Sequence, residues 1–427
     1  MTTEMTFEHL GLNERILKQL DKQGLKTPTP IQEKAIPLVL DGRDVMGLAQ
    51  TGTGKTAAFG LPLIQTIMSV GIKPAPKTVR ALILAPTREL VNQIAEHIRA
   101  YTNGSHLKVG IVVGGVSINP QIERLSRGTD ILIATPGRLM DLLDRRAVTL
   151  SETEFLVLDE ADQMLDLGFV HALRKIAALL KTPRQTMLFS ATMPKLMAEL
   201  SEAFLDRPVR VQVSPPGKAA DKITQSVHFI AQGEKSKLLV EYLAKHKGEQ
   251  ALVFSRTKHG AEKILKFVDG AGFAASSIHG NKSQGQRERA LQSFRDGRLQ
   301  VLVATDVAAR GIDIPGVRHV YNFDLPNVPE NYVHRIGRTA RAGAEGAAVA
   351  FCAPAEMGEL KAIEKVMKVA IPVGGGTPWM HDGGEEKSKS GGNRRRGGGG
   401  GGGRPKQAGA KPGGQKPAGQ RRRRRAA

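Results

Sequence analysis

A glycine-rich segment that ends in lysine and threonine is the first part of the sequence to predict chemistry. It lies between an apolar run and a helical pattern, and it consists of Ala49, Gln50, Thr51, Gly52, Thr53, Gly54, Lys55 and Thr56. Glycines let backbone amides converge on phosphate oxygens, and a helix N-terminus adds its positive dipole end. Lys55 is suited to reach the β- and γ-phosphates of a nucleotide, and Thr56 is suited to bind Mg²⁺. A Gly-Lys-Thr triplet is a common chance match, but this setting favours a nucleotide-binding loop.

An acidic tetrapeptide supplies groups that nucleotide hydrolysis requires. Residues 159–162 directly follow the apolar run 155–158, which places their carboxylates at the carboxyl edge of a sheet, where α/β proteins bind ligands. Asp159 is suited to hold Mg²⁺, partly through water, and Glu160 to orient and deprotonate the attacking water. The alternative is a helix N-terminus with favourable charge. The strand before it and Lys55 upstream favour the catalytic interpretation.

A cationic run near the end of the second half is the third chemical feature. Residues 334–341 have the pattern of one helix, in which His334, Arg338 and Arg341 share a face at spacings i, i+4 and i+7. Two guanidinium groups on one face suit the charge that spreads over a phosphoryl group during transfer. A solvated basic face or a plain RNA patch fits the same spacing, and the spacing alone does not decide between them.

Short apolar runs alternate with longer helical patterns, and this alternation predicts βαβ units. The strand candidates are 44–49, 81–85, 131–134, 155–158 and 186–189 in the first half, and 251–255, 301–304 and 317–321 in the second. We therefore expect an α/β protein in which helices flank mostly parallel sheets.

The two halves of the sequence resemble each other. Residues 82–88 are similar to 252–258, residues 131–135 are similar to 301–305, and 49 residues separate the two runs in each half. This shared spacing predicts two related domains in tandem, although apolar strands also look alike by chance. Proline and glycine near 207–217 break both periodicities. The expected organisation is a first domain over 1–208, a linker over 209–222 and a second domain over 223–372.

Composition narrows the class of protein. The 427 residues include 62 Lys and Arg against 41 Asp and Glu, and the net charge of +21 favours a polyanionic partner. Apolar runs are far shorter than the roughly 18 residues that a spanning helix needs, so no membrane segment is expected. The N-terminus lacks a secretory pattern, and the single cysteine, Cys352, excludes an internal disulfide. Both features predict a cytoplasmic protein.

Residues 373–427 differ in composition from the rest. From His381 onward there are 14 Lys and Arg, 3 Asp and Glu and a run of seven glycines. Burial of so few apolar groups cannot compensate the entropy of ordering, so a disordered Arg/Gly-rich tail is expected. Its charge of +11 suits a nucleic-acid-binding arm, and a merely solubilising tail is the alternative.

Together and in order, these motifs resemble those of a DEAD-box ATP-dependent RNA helicase over about residues 5–372. The remaining motifs of that pattern are 24–32, 86–90, 114–115, 135–138, 190–192, 253–257, 284–287 and 304–313. Each short motif means little alone, whereas their joint order is specific. Residues 256–260 and 278–284 are most similar to the bacterial RhlE branch of the family.

The resemblance implies two RecA-like domains with ATP and Mg²⁺ in the cleft between them. Arg338 and Arg341 would stabilise the transferring phosphoryl group, an effect worth about 10³–10⁵ in rate. Beyond the phosphate loop, the residues implied to contact or support the nucleotide are Phe7, Leu25, Thr27, Gln32, Gly311 and Asp313, with Gln32 at the adenine edge. Ala340 stands where the family usually has glycine, and an alanine in a helix is expected to preserve the arginine geometry.

The resemblance also implies an RNA-backbone site that carries little sequence information. Its residues would be Thr87, Arg88, Gly115, Thr135, Arg138, Arg256, Gln284, Arg287 and Thr305. The groups that couple hydrolysis to RNA would be Asp162, Ser190, Thr192 and His334. Ribosome-assembly or RNA-decay proteins are compatible partners, and a monomer is expected.

Two other functions fit parts of the sequence. The chain would be an RNA-annealing protein if its basic tail did the work and hydrolysis were incidental. A DNA translocase would share the nucleotide loop, but the segment at Gln32 and the composition of residues 159–162 argue against it.

Deletion of residues 381–427 distinguishes the helicase from the annealing protein. We expect the truncated chain to keep RNA-stimulated ATP hydrolysis but to bind RNA more weakly. Its affinity should also depend less steeply on salt, because fewer phosphate contacts release fewer counterions. ATPase assays and RNA titrations at several salt concentrations measure both properties. Loss of all RNA stimulation would show that the tail is essential and that the helicase account is incomplete.

Overall fold

The first half of the computed structural model forms one parallel seven-stranded sheet. The structure describes residues 5–50, 52–213, 223–309, 316–340 and 345–379. The strands of the first sheet are β1 (Val45–Leu48), β2 (Val79–Leu84), β3 (Val109–Val112), β4 (Thr129–Ala134), β5 (Phe155–Leu158), β6 (Gln185–Ser190) and β7 (Val209–Gln212). Its helices are α1 (Glu14–Lys22), α2 (Pro30–Leu40), α3 (Lys55–Val70), α4 (Arg88–Tyr101), α5 (Asn119–Leu125), α6 (Pro136–Asp144), α7 (Ala161–Asp166), α8 (Val170–Leu179) and α9 (Lys195–Phe204).

The second half forms another parallel seven-stranded sheet. Its strands are β8 (Ile223–Phe229), β9 (Gln250–Phe254), β10 (Ala275–Ile278), β11 (Val301–Ala304), β12 (Val317–Asn322), β13 (Gly346–Cys352) and β14 (Val373–Gly375). Its helices are α10 (Lys235–Lys245), α11 (Lys258–Gly270), α12 (Gln284–Arg295), α13 (Asp306–Ala309), α14 (Pro329–Ile336) and α15 (Met357–Met367). None of the helices in the described ranges is long and apolar enough to cross a bilayer.

The two sheets have the same strand order. The order β3-β4-β2-β5-β6-β1-β7 is repeated as β10-β11-β9-β12-β13-β8-β14. The register is repeated too, because Leu82 lies opposite Leu132 in the first sheet and Leu252 lies opposite Leu302 in the second. The predicted α/β fold with two related domains is therefore confirmed, and each predicted strand overlaps an observed one.

Helices cover both faces of each sheet, so the central strands are buried and mostly apolar. β2 and β4 are buried along their whole length, as expected for parallel strands between two helical layers. One layer of the first core includes Ile64 and Val91 from α3 and α4, and the other includes Leu142 and Ile176 from α6 and α8. This packing fixes the carboxyl ends of the strands, where the predicted site residues lie.

The turn after the second strand of each sheet uses the same helix cap. The Thr87 hydroxyl accepts a hydrogen bond from Leu90 N at 3.3 Å, and the Thr257 hydroxyl accepts one from Gly260 N at 3.0 Å. Each threonine thereby satisfies a backbone donor in the first turn of the next helix. The likeness of residues 82–88 to 252–258 reflects this repeated strand, cap and helix.

Two predicted domain limits need correction. β7 pairs with β1, with Val209 opposite Val45, so residues 209–212 belong to the first sheet and not to a linker. β14 pairs with β8, and Trp379 Nε1 donates to the Cys352 carbonyl at 3.1 Å, so the second domain continues past residue 372. Both strands are short edge strands without a strong apolar run. The predicted tail beyond Trp379 lies outside the described residues.

The prediction of one helix over 334–341 is wrong. α14 ends at Ile336, Gly337 is its cap residue, and Arg338 N donates to the Arg335 carbonyl in the turn that follows. Ala340 has φ +55°, in the left-handed region that costs a non-glycine residue about 1–2 kcal/mol. Helix propensity therefore does not explain the alanine at this position. Arg341 lies outside the described residues.

Replacement of Gly47 by alanine tests the packing between β1 and β6. A Cβ added at Gly47 would lie 2.5 Å from Phe189 Cδ1, and that ring is itself buried against Phe59 at 5.5 Å between centroids. We expect Gly47→Ala to lower the free energy of unfolding of the first domain by about 1–3 kcal/mol. Thermal unfolding followed by circular dichroism measures the change.

Gly358→Ala is the matched control, because its added Cβ meets nothing within 4 Å on α15. Alanine in place of an exposed helical glycine is expected to raise stability by up to about 1 kcal/mol. If Gly47→Ala melted at the wild-type temperature, the proposed clash would be disproved.

Candidate functional site

The glycine-rich loop joins β1 to α3 at the carboxyl edge of the first sheet. Gly54, the residue before α3, has φ +89°, and a Cβ there would overlap the Gln32 side-chain amide. Only glycine meets both demands. Thr53 Oγ1 donates to the Gln50 carbonyl at 2.8 Å, which closes the turn, and Lys55 follows as the first residue of α3. Thr51 lies outside the described residues.

Gln32 joins the segment before α2 to this loop. Its Oε1 accepts a hydrogen bond from Thr29 N at 2.8 Å, and its Nε2 donates to the Gly54 carbonyl at 3.0 Å. A primary amide keeps a second N–H and a second lone pair, so contact with an adenine edge stays chemically feasible. Phe7 is buried in the first core, whereas Leu25 and Thr27 are exposed.

Lys55 lies buried between the carboxylates of the acidic tetrapeptide. Its Nζ is 3.6 Å from Asp159 Oδ1 and 3.9 Å from Glu160 Oε1, both beyond ordinary hydrogen-bond length. Burial alone lowers the pKa of Lys55, but the combined attraction of Asp159, Glu160 and Asp162 raises it above its usual value. The loop and the acidic segment, predicted separately, thus form one site.

Burial perturbs the ionisation of Asp159. Burial raises the pKa of Asp159 to about 6, Lys55 opposes that rise, and Glu160 adds to it. A carboxylate in this setting gains from any further cation placed beside it. The site therefore has the electrostatic character of a metal-binding position, and Thr56 follows Lys55 in the first turn of α3.

Glu160 has a strained backbone that the sequence analysis did not predict. Its φ and ψ are 50° and 51°, in the left-handed region, which costs about 1–3 kcal/mol for a non-glycine residue. Asp159 Oδ1 accepts a hydrogen bond from Glu160 N at 3.0 Å, which helps to hold the turn. The kink between β5 and α7 keeps both carboxylates at the sheet edge, close to Lys55.

Asp162 connects this acidic segment to the end of β6. Its Oδ2 accepts hydrogen bonds from Thr192 N and Thr192 Oγ1, each at 2.9 Å, and from Ala191 N at 3.2 Å. Ser190 Oγ donates to the Thr192 carbonyl at 2.7 Å. The same carboxylate oxygen lies 3.9 Å from His334 Nε2 of the second domain. The residues predicted to couple hydrolysis to RNA binding therefore lie close together. They are Asp162, Ser190, Thr192 and His334.

The turn after α14 brings second-domain groups to the glycine-rich loop. Arg338 is buried, and its Nε donates to the His334 carbonyl at 3.1 Å. A Cβ added at Gly337 would lie 3.8 Å from Gln50 Oε1, so this turn faces the loop directly. Gly311 and Asp313, predicted to contact the nucleotide, lie outside the described residues.

Arg335 has a supporting role that sequence spacing did not reveal. It is buried, its Nη2 donates to Asp306 Oδ2 at 2.8 Å, and its guanidinium lies 5.0 Å from the centre of the Phe254 ring. These contacts fix α14 against α13 and β9. The neighbouring His334 and Arg338 are thereby held toward the first domain.

Arg88, a predicted RNA-contacting residue, packs against the backbone at Gly115. A Cβ added at Gly115, which has φ +70°, would overlap the Arg88 guanidinium, so the arginine packs directly on bare backbone. Burial lowers the pKa of Arg88, and the neighbouring Glu89 opposes the decrease. Arg88 Nη1 donates to Gln284 Oε1 of the second domain at 3.4 Å.

Glu89 is a buried acid between the two domains, and the sequence analysis gave it no role. It is 6% exposed, its Oε1 lies 3.0 Å from Arg287 Nη2, and it accepts a hydrogen bond from Gln284 Nε2 at 3.4 Å. A buried carboxylate requires a partner, and here the partners come from α12. The feature that distinguishes Glu89 is its burial, and only the folded structure shows it.

The other predicted RNA-contacting residues lie where the strands end, and several are already engaged. Thr135 precedes α6, and its carbonyl accepts from Leu139 N at 3.1 Å. The Thr305 carbonyl accepts a hydrogen bond from Ala309 N at 2.9 Å. Arg138 Nη2 donates to the Val116 carbonyl at 3.1 Å. Arg256 is held by the Leu325 carbonyl at 2.9 Å and by Glu356 at 3.2 Å.

The amino-acid sequence matches a known protein family. Residues 29–200 match the DEAD/DEAH box helicase family, and residues 234–343 match the helicase conserved C-terminal domain. The chain is 45% identical over 362 residues to the ATP-dependent RNA helicase CshA of Listeria monocytogenes, across 85% of this chain and 69% of that protein. It is 42% identical over 363 residues to the DEAD-box ATP-dependent RNA helicase CshA of Geobacillus kaustophilus, across 85% of this chain and 77% of that protein.

Solved structures agree with this placement. The chain is similar to S. cerevisiae Dbp5 bound to RNA and ADP BeF3, with a TM-score of 0.76 and 30% identity over 86% of this chain and 95% of that one. It is also similar to Mss116p bound to ssRNA and AMP-PNP, with a TM-score of 0.80 and 28% identity over 88% of this chain and 81% of that one. The chain therefore belongs to the family of DEAD-box ATP-dependent RNA helicases.

Proposed function

We propose that this chain is an RNA-dependent ATPase that locally unwinds short RNA duplexes or remodels RNA–protein complexes. The observation that carries the proposal is that groups suited to phosphoryl transfer meet from both domains. Lys55 and Glu160 belong to the first, and His334 of the second lies 3.9 Å from Asp162. ATP and RNA would both favour the closed arrangement, because each would contact both domains. The relatives named as ATP-dependent RNA helicases support the same activity.

The first domain would bind the nucleotide phosphates. Lys55 Nζ makes no hydrogen bond to the part of the chain that the structure describes, and phosphate oxygens would supply its missing acceptors. Thr56 and Asp159, the latter partly through water, would hold Mg²⁺, and the raised pKa of Asp159 fits a carboxylate that needs a cation. When bound, Mg²⁺ would neutralise charge on the β- and γ-phosphates.

The hydrolytic step would use groups from both sides of the cleft. Glu160 would orient a water molecule and accept its proton on a carboxylate oxygen. Arg338 and Arg341 would stabilise the charge on the phosphoryl oxygens as the bond to the leaving group breaks. Gln32 would contact the adenine, with Leu25 and the other predicted nucleotide residues around it.

RNA would promote closure through the surface that joins α4 to α12. Arg88 and Arg287 place positive charge on both domains, and Glu89 lies between them. An RNA backbone across this surface would be neutralised by the arginines, while Glu89 keeps them oriented. Asp162 contacts the end of β6 and lies close to His334, so it would link closure of the two domains to both of these segments.

Some finer assignments stay predictions. The RhlE branch rests on residues 256–260 and 278–284, whereas the relatives reported above are named CshA. A cytoplasmic location, a monomeric state and partners in ribosome assembly or RNA decay are likewise proposed. So are the division near residues 213–222 and an RNA-binding role for the basic tail.

ATP turnover with and without RNA tests the proposed function. Glu160→Gln is the variant that is expected to be catalytically inactive. We expect RNA to raise the wild-type rate many-fold. The variant should keep affinity for ATP and RNA but lose turnover by about 10²–10⁴-fold, because an amide cannot accept the proton. Phosphate release assays and fluorescence binding titrations measure these properties.

Equal wild-type rates with and without RNA would contradict the proposed coupling. Wild-type turnover in Glu160→Gln would remove that residue from the role of base.

Glu89→Gln tests the contact between α4 and α12. The substitution removes the charge that pairs with Arg287 Nη2 at 3.0 Å, and such a charged contact is worth about 1.5–3 kcal/mol. We expect the RNA concentration for half-maximal ATPase stimulation to rise roughly tenfold or more, while ATP hydrolysis without RNA changes little.

Glu96→Gln is the matched control, since Glu96 lies on the same helix but is exposed. It should leave RNA stimulation unchanged. An equal effect of both substitutions would point to the loss of charge on α4 rather than to the cross-domain contact.

A further inference from the structure

Three side chains that can bind a metal ion meet at the amino edge of the second sheet. His246 follows α10, Glu249 immediately precedes β9, and His319 lies near the start of β12. The acidic segment that contains Asp159 and Glu160 lies instead at the carboxyl edge of the first sheet, where the proposed ATPase site is. The cluster therefore shares no residue with the nucleotide and RNA contacts described above.

The ligand atoms of this cluster already converge. Glu249 Oε2 contacts His319 Nε2 directly and lies 3.7 Å from His246 Nδ1. One ligand atom from each of the three residues lies within 4.8 Å of the other two. Within the described ranges of the chain, this is the only group of three or more His, Cys, Asp or Glu side chains that meets this condition.

Packing around His319 fixes one of the two imidazoles. Its side chain is 9% exposed, and its ring stacks on Tyr321 with centroids 6.0 Å apart and planes 11° from parallel. The His246 ring lies 4.1 Å from the His319 ring, and its backbone carbonyl accepts from Gln300 Nε2 at 3.3 Å. The His319 ring is therefore held by its stacking on Tyr321, and the backbone at His246 is held by its hydrogen bond from Gln300.

The other two side chains are free to adjust to an ion. His246 and Glu249 are 39% and 49% exposed. Nitrogen and oxygen ligands on a tetrahedral zinc ion lie about 3.3 Å apart, so closure from the observed separations requires only small movements of these two side chains. The exposed side of the cluster leaves room for a water molecule as the fourth ligand.

We propose that His246, Glu249 and His319 form a binding site for one transition-metal dication of the zinc class. Two imidazoles and one carboxylate are a ligand set that Zn²⁺ accepts together with water, and Co²⁺, Ni²⁺ and Cu²⁺ share this preference. Mg²⁺ and Ca²⁺ require mostly oxygen ligands and do not fit. A bound ion would tie the turn after α10 to β12 and stabilise the second domain.

Zinc titration of the full-length chain without an affinity tag tests this site. We expect calorimetry with ZnCl₂ to show one equivalent bound with an affinity that MgCl₂ does not reproduce. Zinc should also raise the melting temperature, because a ligand that binds only the folded state stabilises it. His246→Gln and Glu249→Gln should each weaken zinc binding roughly tenfold or more and reduce the zinc-dependent shift in melting temperature.

His171→Gln is the matched control, because His171 is exposed on α8 of the first domain. It should bind zinc like the wild type. Both test positions are partly exposed, so RNA-stimulated ATPase and melting temperature without zinc should stay at wild-type values and report intact folding. Absence of stoichiometric zinc binding in the wild type would overturn the proposal, and so would unchanged affinity in both variants.

Discussion

The burial of Lys55 among three carboxylates is the constraint on which the rest of the site depends. Burial alone would lower the pKa of this lysine, and Asp159, Glu160 and Asp162 reverse that effect. The carboxylates in turn need positive charge, as the raised pKa of Asp159 indicates. A site with this balance of charge favours a ligand that brings phosphate for the lysine and a cation for the acids. A nucleotide with its magnesium ion meets both demands.

The same acidic segment also joins the two domains. Asp162 accepts three hydrogen bonds from the end of β6 and lies close to His334 of the second domain. A change at the phosphate site can therefore reach the second domain through one carboxylate. The Glu89 contacts with α12 provide a second connection, on the surface where RNA is proposed to bind.

Much of this architecture was predictable from the sequence because its signals are local. The apolar runs within β2 and β4 require burial on both faces, and the glycines before Lys55 predicted the tight turn between β1 and α3, where Gly54 has a positive φ. The edge strands were harder to predict from the sequence, because β7 and β14 are short and depend on pairing with β1 and β8.

Other features depend on contacts that no local pattern records. The helix predicted over 334–341 is wrong because α14 ends at Ile336, with Gly337 as its cap residue. The roles of Glu89 and Arg335 depend on partners distant in sequence, Arg287 and Asp306. The left-handed turn at Glu160 likewise follows from its place between β5 and α7.

The unfavourable backbone of Ala340 makes the arginine-bearing turn dependent on a neighbouring strand. The residue before it, Thr339, is buried, and its hydroxyl lies 2.6 Å from the Val317 carbonyl and 3.0 Å from the Arg318 carbonyl at the start of β12. This threonine anchors a peptide segment whose own conformational preference opposes its native shape. The guanidinium of Arg338 is thus positioned by tertiary anchoring instead of helical rigidity, and local fraying at the beginning of β12 would release it from the cleft.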